Sequence, residues 1–300
     1  MEIDNSLANS FRTCPTLAYN SYFLEGTGLE LIPKDDGEVK PMDLGTRCHE
    51  LMEEHYKKAE LYPPSPNEDL ENEAQVIMAG YRKRYPFEEF EILDVERTIK
   101  VALPPICLSC YQQGQDIGGI CICDYKSKTE HHIYTGKMDL VVNMPDGKLG
   151  IIDHKFEQRT AKSNLPQKWA ARDQATLYVW AASKIYNRKP EDINFIVNVC
   201  RRPSPKGQVG PEFPDRQKLE RTQAQVNKAV RDISIVACQI EQYQRCFKEG
   251  EWPDNREECW TWGSCPFYLP CLYGWSKSIR DEKYETKKPY LKLGGIDIIQ

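Results

Sequence analysis

No stretch of the 300-residue sequence approaches the run of about 18 consecutive apolar residues that a membrane span requires, so no membrane partner is expected. The opening residues, MEIDNSLANSFRTC, lack a basic start and an apolar run, and so are not read as a secretory signal. A cytoplasmic setting is expected. There is no internal repeat and no low-complexity tract; the length is that of one large domain or two. An excess of positive charge is missing as well. The net charge is −5, which at first argues against a nucleic-acid partner. What is present is ordinary for a soluble globular protein, with 40% hydrophobic and 28% charged residues. Twelve cysteines are the exception. In a reducing compartment they point to metal or cluster binding more than to disulfides.

The stretch GKMDLVVNMPDGKLGIIDHKF, residues 136–156, carries the densest chemistry. Met144-Pro145-Asp146-Gly147-Lys148 is turn chemistry between two runs rich in Val, Ile and Leu, which predicts a β-hairpin. With the turn centred on Asp146, Asp139 and Asp153 are equidistant from it and face each other across the strands. Their Cα atoms would then lie roughly 4.5–5.5 Å apart, and like charges so opposed repel. Side chains alternate along a strand, so Lys155 emerges on the face of Asp153. Met138, Leu140, Val142 and Ile152 take the other face, as core. A divalent cation would turn the repulsion of two carboxylates into binding.

The charge is also unevenly spread. Residues 155–206 hold eleven Lys and Arg against four Asp and Glu, a local +7 that leaves −12 for the rest. A basic surface beside a cation site suits a phosphate polymer. Solvated helix and loop charges are the alternative.

Elsewhere the pattern predicts a short helix within residues 1–24 and a loop over 25–41. A helix follows from Asp43 to about Leu61, with Leu44, Cys48, Leu51 and Met52 as its apolar stripe, and another covers 68–84. Residues 91–101 alternate as a strand, with Leu93, Val95, Ile99 and Val101 on one face and Asp94, Glu96 and Thr98 on the other. An insertion at 104–130 precedes the hairpin. A helix over 166–187, a strand over 194–200 and a long helix over about 215–249 complete the order. The expected fold class is α/β, a small mixed sheet flanked by helices. Cys48, Cys200, Cys238 and Cys246 fall on apolar stripes, as packing residues.

Asp139 followed by Asp153-His154-Lys155 on the paired strand resembles the PD-(D/E)XK nuclease core. Gln174-Ala175-Thr176-Leu177-Tyr178 resembles the Q-x-x-x-Y motif of its RecB-type branch. Gly45-Thr46-Arg47-Cys48-His49 resembles the upstream helix that supplies a histidine, and Glu96 the acidic strand residue between them. The resemblance covers about residues 10–275. It implies a restriction-endonuclease-like core at 41–214, including the insertion. Asp139, Asp153, the backbone carbonyl of His154, His49 and Glu96 would hold Mg²⁺ or Mn²⁺, with imidazole favouring Mn²⁺. Lys155 would orient or deprotonate the attacking water. Gln174 and Tyr178, at i and i+4, would contact DNA or brace the site. The implied activity is metal-dependent hydrolysis of DNA, with the branch suggesting an exonuclease on single-stranded or frayed ends. Arg159, Lys162, Lys168 and Arg172 are the candidate DNA contacts. Repair, recombination or CRISPR-type partners use such a core. A non-catalytic, cluster- or zinc-bearing DNA-binding subunit is the alternative of another class.

Cys259, Cys265 and Cys271 are each separated by five residues, and Cys14 stands alone at the far end of the sequence. One N-terminal and three C-terminal cysteines resemble the iron–sulfur staple of RecB-type nucleases, although the close C-x-x-C pair is absent. The resemblance implies a [4Fe-4S] cluster, with zinc as the alternative, tying residues 1–40 to a long-helix and cluster region at 215–275, before a tail at 276–300. In the insertion, Cys107-Leu108-Ser109-Cys110 and Cys121-Ile122-Cys123 could hold a second zinc or be small packing residues.

Overall fold

The computed structural model describes residues 1–32, 39–106, 132–157, 169–204, 209–248, 250–261, 264–287 and 299. Cys107, Cys110, Cys121, Cys123, Arg159, Lys162 and Lys168 lie outside them. The helices are α1 (Asn5–Thr13), α2 (Pro15–Tyr22), α3 (Pro41–Lys57), α4 (Glu68–Arg84), α5 (Asp173–Ile185), α6 (Gln223–Cys246), α7 (Tyr268–Tyr273) and α8 (Lys277–Lys283). The strands are β1 (Glu2–Ile3), β2 (Leu29–Leu31), β3 (Glu91–Ala102), β4 (Ile133–Asn143), β5 (Leu149–Glu157), β6 (Ile193–Arg201), β7 (Gln217–Leu219) and β8 (Tyr284–Thr286). No described helix is long and apolar enough to cross a membrane. The chain divides into two compact units. One comprises 36–99 and 136–229; the other comprises 1–35, 100–135 and 230–300.

The first of these units is built on the central hairpin. β4 and β5 pair antiparallel with Leu140 opposite Ile152 and Val142 opposite Gly150, the register centred on Asp146. Gly147 makes the turn possible: its φ is +79°, and its N–H donates to the Met144 carbonyl at 2.9 Å. β5 then pairs parallel with β6, and β6 antiparallel with β7, while β3 joins β4, so the sheet is mixed. On one face, Leu44, Cys48, Leu51 and Met52 of α3 and Ala74, Ile77 and Met78 of α4 pack on Leu140, Val142, Ile152 and Ile196. Each of the leucines, isoleucines, valine and methionines among them contributes roughly 1.5–3 kcal/mol through its burial. On the other face, the Tyr178 ring of α5 lies 6.3 Å from that of Phe195. Helices on both faces explain why β5 begins as an almost unbroken apolar run. α4 is closed at its start by Asn67, whose side chain accepts the Leu70 N–H at 3.1 Å, and its first-turn acids and last-turn bases match the helix dipole.

Several boundaries differ from the sequence expectation. α3 stops at Lys57, because Lys58 turns left-handed at φ +53°. The residues before the long helix form β7, so α6 begins only at Gln223. In β3, Glu96 has φ +55°, a left-handed residue inside a strand, which breaks the simple alternation expected there. Leu93 is accordingly exposed while Ile99 and Val101 are buried.

In the other unit the N-terminal region is two helices rather than one. Cys14, extended at φ −160°, ends α1 and precedes Pro15 at the start of α2. Thr16 donates its N–H to the Pro253 carbonyl at 3.1 Å, and rings of Phe11, Tyr19, Phe23 and Tyr243 surround Trp252. β2 and β8 pair antiparallel beside a small core of Leu24, Leu29, Phe267 and Tyr284. Cys238 is buried, but Cys246 is exposed at the end of α6, not on a packed stripe.

Candidate metal and nucleic-acid site

α3, β3 and β4 bring three donor groups together. The apolar stripe of α3 seats the helix on the sheet, and His49, the residue after buried Cys48, is carried to the acids. His49 Nδ1 lies 3.7 Å from Asp139 Oδ2 and 3.9 Å from Glu96 Oε1, and one donor atom from each residue falls within 4.8 Å of the others. Burial lowers the pKa of His49, so the ring is held neutral, the form that ligates. Burial raises both acids, and Asp139 raises Glu96 further. Lys137 pairs with Glu96, while the His154 N–H donates to Asp139 Oδ2 at 2.7 Å. An imidazole nitrogen and two carboxylates, all partly withdrawn from water, are a costly cluster without a cation. As a donor set they fit a divalent ion that accepts nitrogen and oxygen.

Asp153 and Lys155 form an adjoining pair. Asp153 is 2% exposed, and its Oδ2 lies 2.7 Å from Lys155 Nζ. Burial pushes the Asp153 carboxyl up to about 6; Lys155 opposes the rise and Asp139 adds to it. Burial alone would weaken Lys155 as a base-bound cation, but Asp153 and Asp139 outweigh it and raise its pKa, so it stays charged. Asp153 is not one of the three groups that gather within 4.8 Å. The hairpin therefore places Asp139 with His49 and Glu96, and Asp153 with Lys155. The His154 side chain turns to the opposite face, where its Nδ1 lies 3.0 Å from Asn198 Nδ2 and its ring stacks on Tyr56.

α5 supplies the third layer. Burial, Asp153 and Asp139 raise the pKa of Tyr178, and Gln174 and the backbone of Lys137 act against the rise. Gly136 permits this approach, since a Cβ there would lie 3.0 Å from Tyr178 Cε1. Arg172 stacks on Trp169 with its Cζ 4.3 Å from the ring centroid. Sequence reasoning missed Lys137 and Trp169. Lys137 was available to it, standing two residues before Asp139 and therefore on the same strand face; Trp169 stands before α5, which begins only after the extended Arg172 and not at 166 as expected, and so has no share in that helix's periodicity.

Cys14, Cys259, Cys265 and Cys271 all belong to the unit that holds both chain ends, and none of them is in a disulfide. The Asn255 N–H donates to Cys14 Sγ at 3.3 Å, and the Cys265 N–H to the Cys259 carbonyl at 2.8 Å. Burial pushes Cys271 up to about 12, with Cys265, Cys14 and Cys259 adding to it. The four thiols thus influence one another, but no three of them gather within 4.8 Å.

A family model described as the PD-(D/E)XK nuclease superfamily matches residues 6–268. A crystal structure titled "Putative exonuclease" from Eubacterium rectale aligns over 85% of each chain with 13% identity and a TM-score of 0.49. A second, the crystal structure of SSO0001, aligns over 82% of this chain and 90% of the other with 12% identity and a TM-score of 0.35. No curated protein matches the sequence.

Proposed function

The chain belongs to the PD-(D/E)XK nuclease superfamily, and we propose that it is a divalent-metal-dependent deoxyribonuclease, an exonuclease on single-stranded or frayed DNA ends. The observation that carries this reading is the meeting of His49, Glu96 and Asp139 beside the Asp153–Lys155 pair. Asp139, Glu96, His49, Asp153 and the His154 carbonyl would hold Mg²⁺ or Mn²⁺. The ion would supply Lewis acidity at the phosphoryl oxygens and a lower pKa for the attacking water.

The chain's own groups do the rest. Lys155, kept charged by two carboxylates, orients the attacking water and meets negative charge developing on the phosphate. Asp153 holds the ammonium in place at 2.7 Å. The His154 N–H fixes one oxygen of Asp139, leaving the other lone pairs for ligation. Tyr178 and Gln174 would brace the strand that carries Asp139, where the Tyr178 ring lies against Gly136. Arg159, Lys162, Lys168 and Arg172 would contact the DNA backbone. Cys14, Cys259, Cys265 and Cys271 would hold a [4Fe-4S] cluster, with zinc as the alternative, tying the two ends of the chain in one unit; the meeting of Thr16 with Pro253 and of Cys14 with Asn255 supports that role. A second zinc in the insertion and a recombination, repair or CRISPR-type protein partner complete the proposal, in a cytoplasmic setting.

The test is digestion of end-labelled linear and circular single-stranded DNA with Mn²⁺ or Mg²⁺. Asp153→Ala and Lys155→Ala should each lose on the order of 10²–10⁴-fold in rate, and circular DNA should resist. Undiminished activity in both variants would remove the assignment. A protein absorbing near 400 nm and bleaching with Cys271→Ser would separate a cluster from zinc.

A further inference from the structure

Trp169 has no part in the chemistry just described, yet it is 4% exposed and two cations meet its ring. Lys155 Nζ lies 5.3 Å from the ring centroid and Arg172 Cζ 4.3 Å. A tight turn produces this arrangement: the Arg172 N–H donates to the Trp169 carbonyl at 3.2 Å, folding Arg172 back over the indole. Arg221 anchors the turn from below. This buried guanidinium donates through Nη2 to the Ala170 carbonyl and through Nε to Thr176 Oγ1, each at 2.8 Å.

The two cations differ in what they are free to do. Lys155 is half-buried and held by Asp153. Arg172 is exposed, and among the described residues it forms no ion pair. Stacking on an indole holds a guanidinium plane in place while leaving its edge donors available, and that edge matches the geometry of a phosphate. Lys155 and Arg172 also feel each other electrostatically, so the two lie close together on one ring.

We propose that Arg172, held in place by Trp169, grips the phosphodiester of single-stranded DNA that neighbours the one being cleaved, and that Trp169 is the positioning residue joining this grip to Lys155. The inference rests on the nuclease reading and adds to it a defined substrate contact. A phosphate seated on Arg172 would deliver the next one along the strand to Lys155.

The experiment measures binding of a fluorescein-labelled single-stranded oligodeoxynucleotide in EDTA across a salt series, and hydrolysis of the same strand with Mn²⁺. Arg172→Gln should lower the slope of log Kd against log salt by about 0.7, the value for one phosphate contact on a single strand. It should also raise KM more than it lowers kcat. Trp169→Leu should lower the slope equally although Arg172 is intact, and the double variant should lower it no further. Trp169→Phe, which retains an aromatic face, should recover most of the lost slope. A wild-type slope in Arg172→Gln, or in Trp169→Leu, overturns the inference. If the wild type cuts DNA and these variants match it, this inference alone fails. If the wild type neither binds nor cuts, the nuclease reading fails with it.

Discussion

At Asp153 the burial that readies the site also sets how the metal-free protein responds to pH. Its carboxyl is pushed up to about 6, by burial first and by Asp139 as well. In the unfolded chain the same group titrates near about 3.9. The folded state therefore binds the proton more tightly, and stability falls as pH rises between those two values. Two pK units correspond to about 3 kcal/mol, fully present below pH about 4 and lost above about 6. In EDTA, the urea midpoint of the wild type should drop more steeply over that range than that of Asp153→Asn. Adding Mn²⁺ above pH 6 should restore the wild type, because the cation takes over the role of the proton. Equal pH slopes for the two proteins would show that the carboxylate is not strained by burial as described.

At the scale of elements, the hairpin and its glycines separate two kinds of constraint. Gly147 is required by a turn at φ +79°, with open space around it. Gly147→Ala should cost about 1 kcal/mol through backbone strain and leave kcat unchanged. Gly136 is required by crowding, since a Cβ would meet Tyr178 Cε1 at 3.0 Å and Ile99 Cδ1 at 3.4 Å. Gly136→Ala should cost about 1–3 kcal/mol and also reduce kcat, because Tyr178 must give way. Thermal midpoints and rates measured together separate the two cases; equal kcat values in both variants would sever Tyr178 from the site.

The hairpin register was legible because a Pro-Asp-Gly turn between apolar runs fixes pairing locally, and α4 was legible because Asn67, its acids and its bases mark both ends. The short strand β7 was not legible, since three residues carry no periodicity. Glu96 was only half legible. The family resemblance implied a ligand, but alternation says nothing of a residue at φ +55°, and that reversal is what a strand interior normally avoids. Glu96→Gln tests the consequence. Removing a charge raised by burial should not lower the thermal midpoint in EDTA, yet Mn²⁺ affinity by calorimetry should fall tenfold or more.

At the scale of the whole molecule, the two kinds of candidate metal chemistry fall in different compact units. His49, Glu96, Asp139, Asp153 and Lys155 lie within 36–99 and 136–229, and the four half-buried cysteines within 1–35 and 230–300. Composition and periodicity alone do not announce this, because each unit is assembled from segments far apart along the chain, and Thr16 meets Pro253 only after folding. A ligand that binds the folded state stabilises what it touches, by about 2.7 kcal/mol at a concentration of 100 Kd. Mn²⁺ should therefore slow hydrogen exchange in peptides from α3, β4 and β5 and leave those from α1, α2 and α7 nearly unchanged. Cys14→Ser combined with Cys271→Ser should do the reverse, loosening α1, α2 and α7 while the response of β4 and β5 to Mn²⁺ persists. Protection by Mn²⁺ centred on the cysteine-bearing segments would place the divalent site in the wrong unit. It would then fall to the thiols, and not to the hairpin carboxylates, to explain how the chain binds a divalent ion.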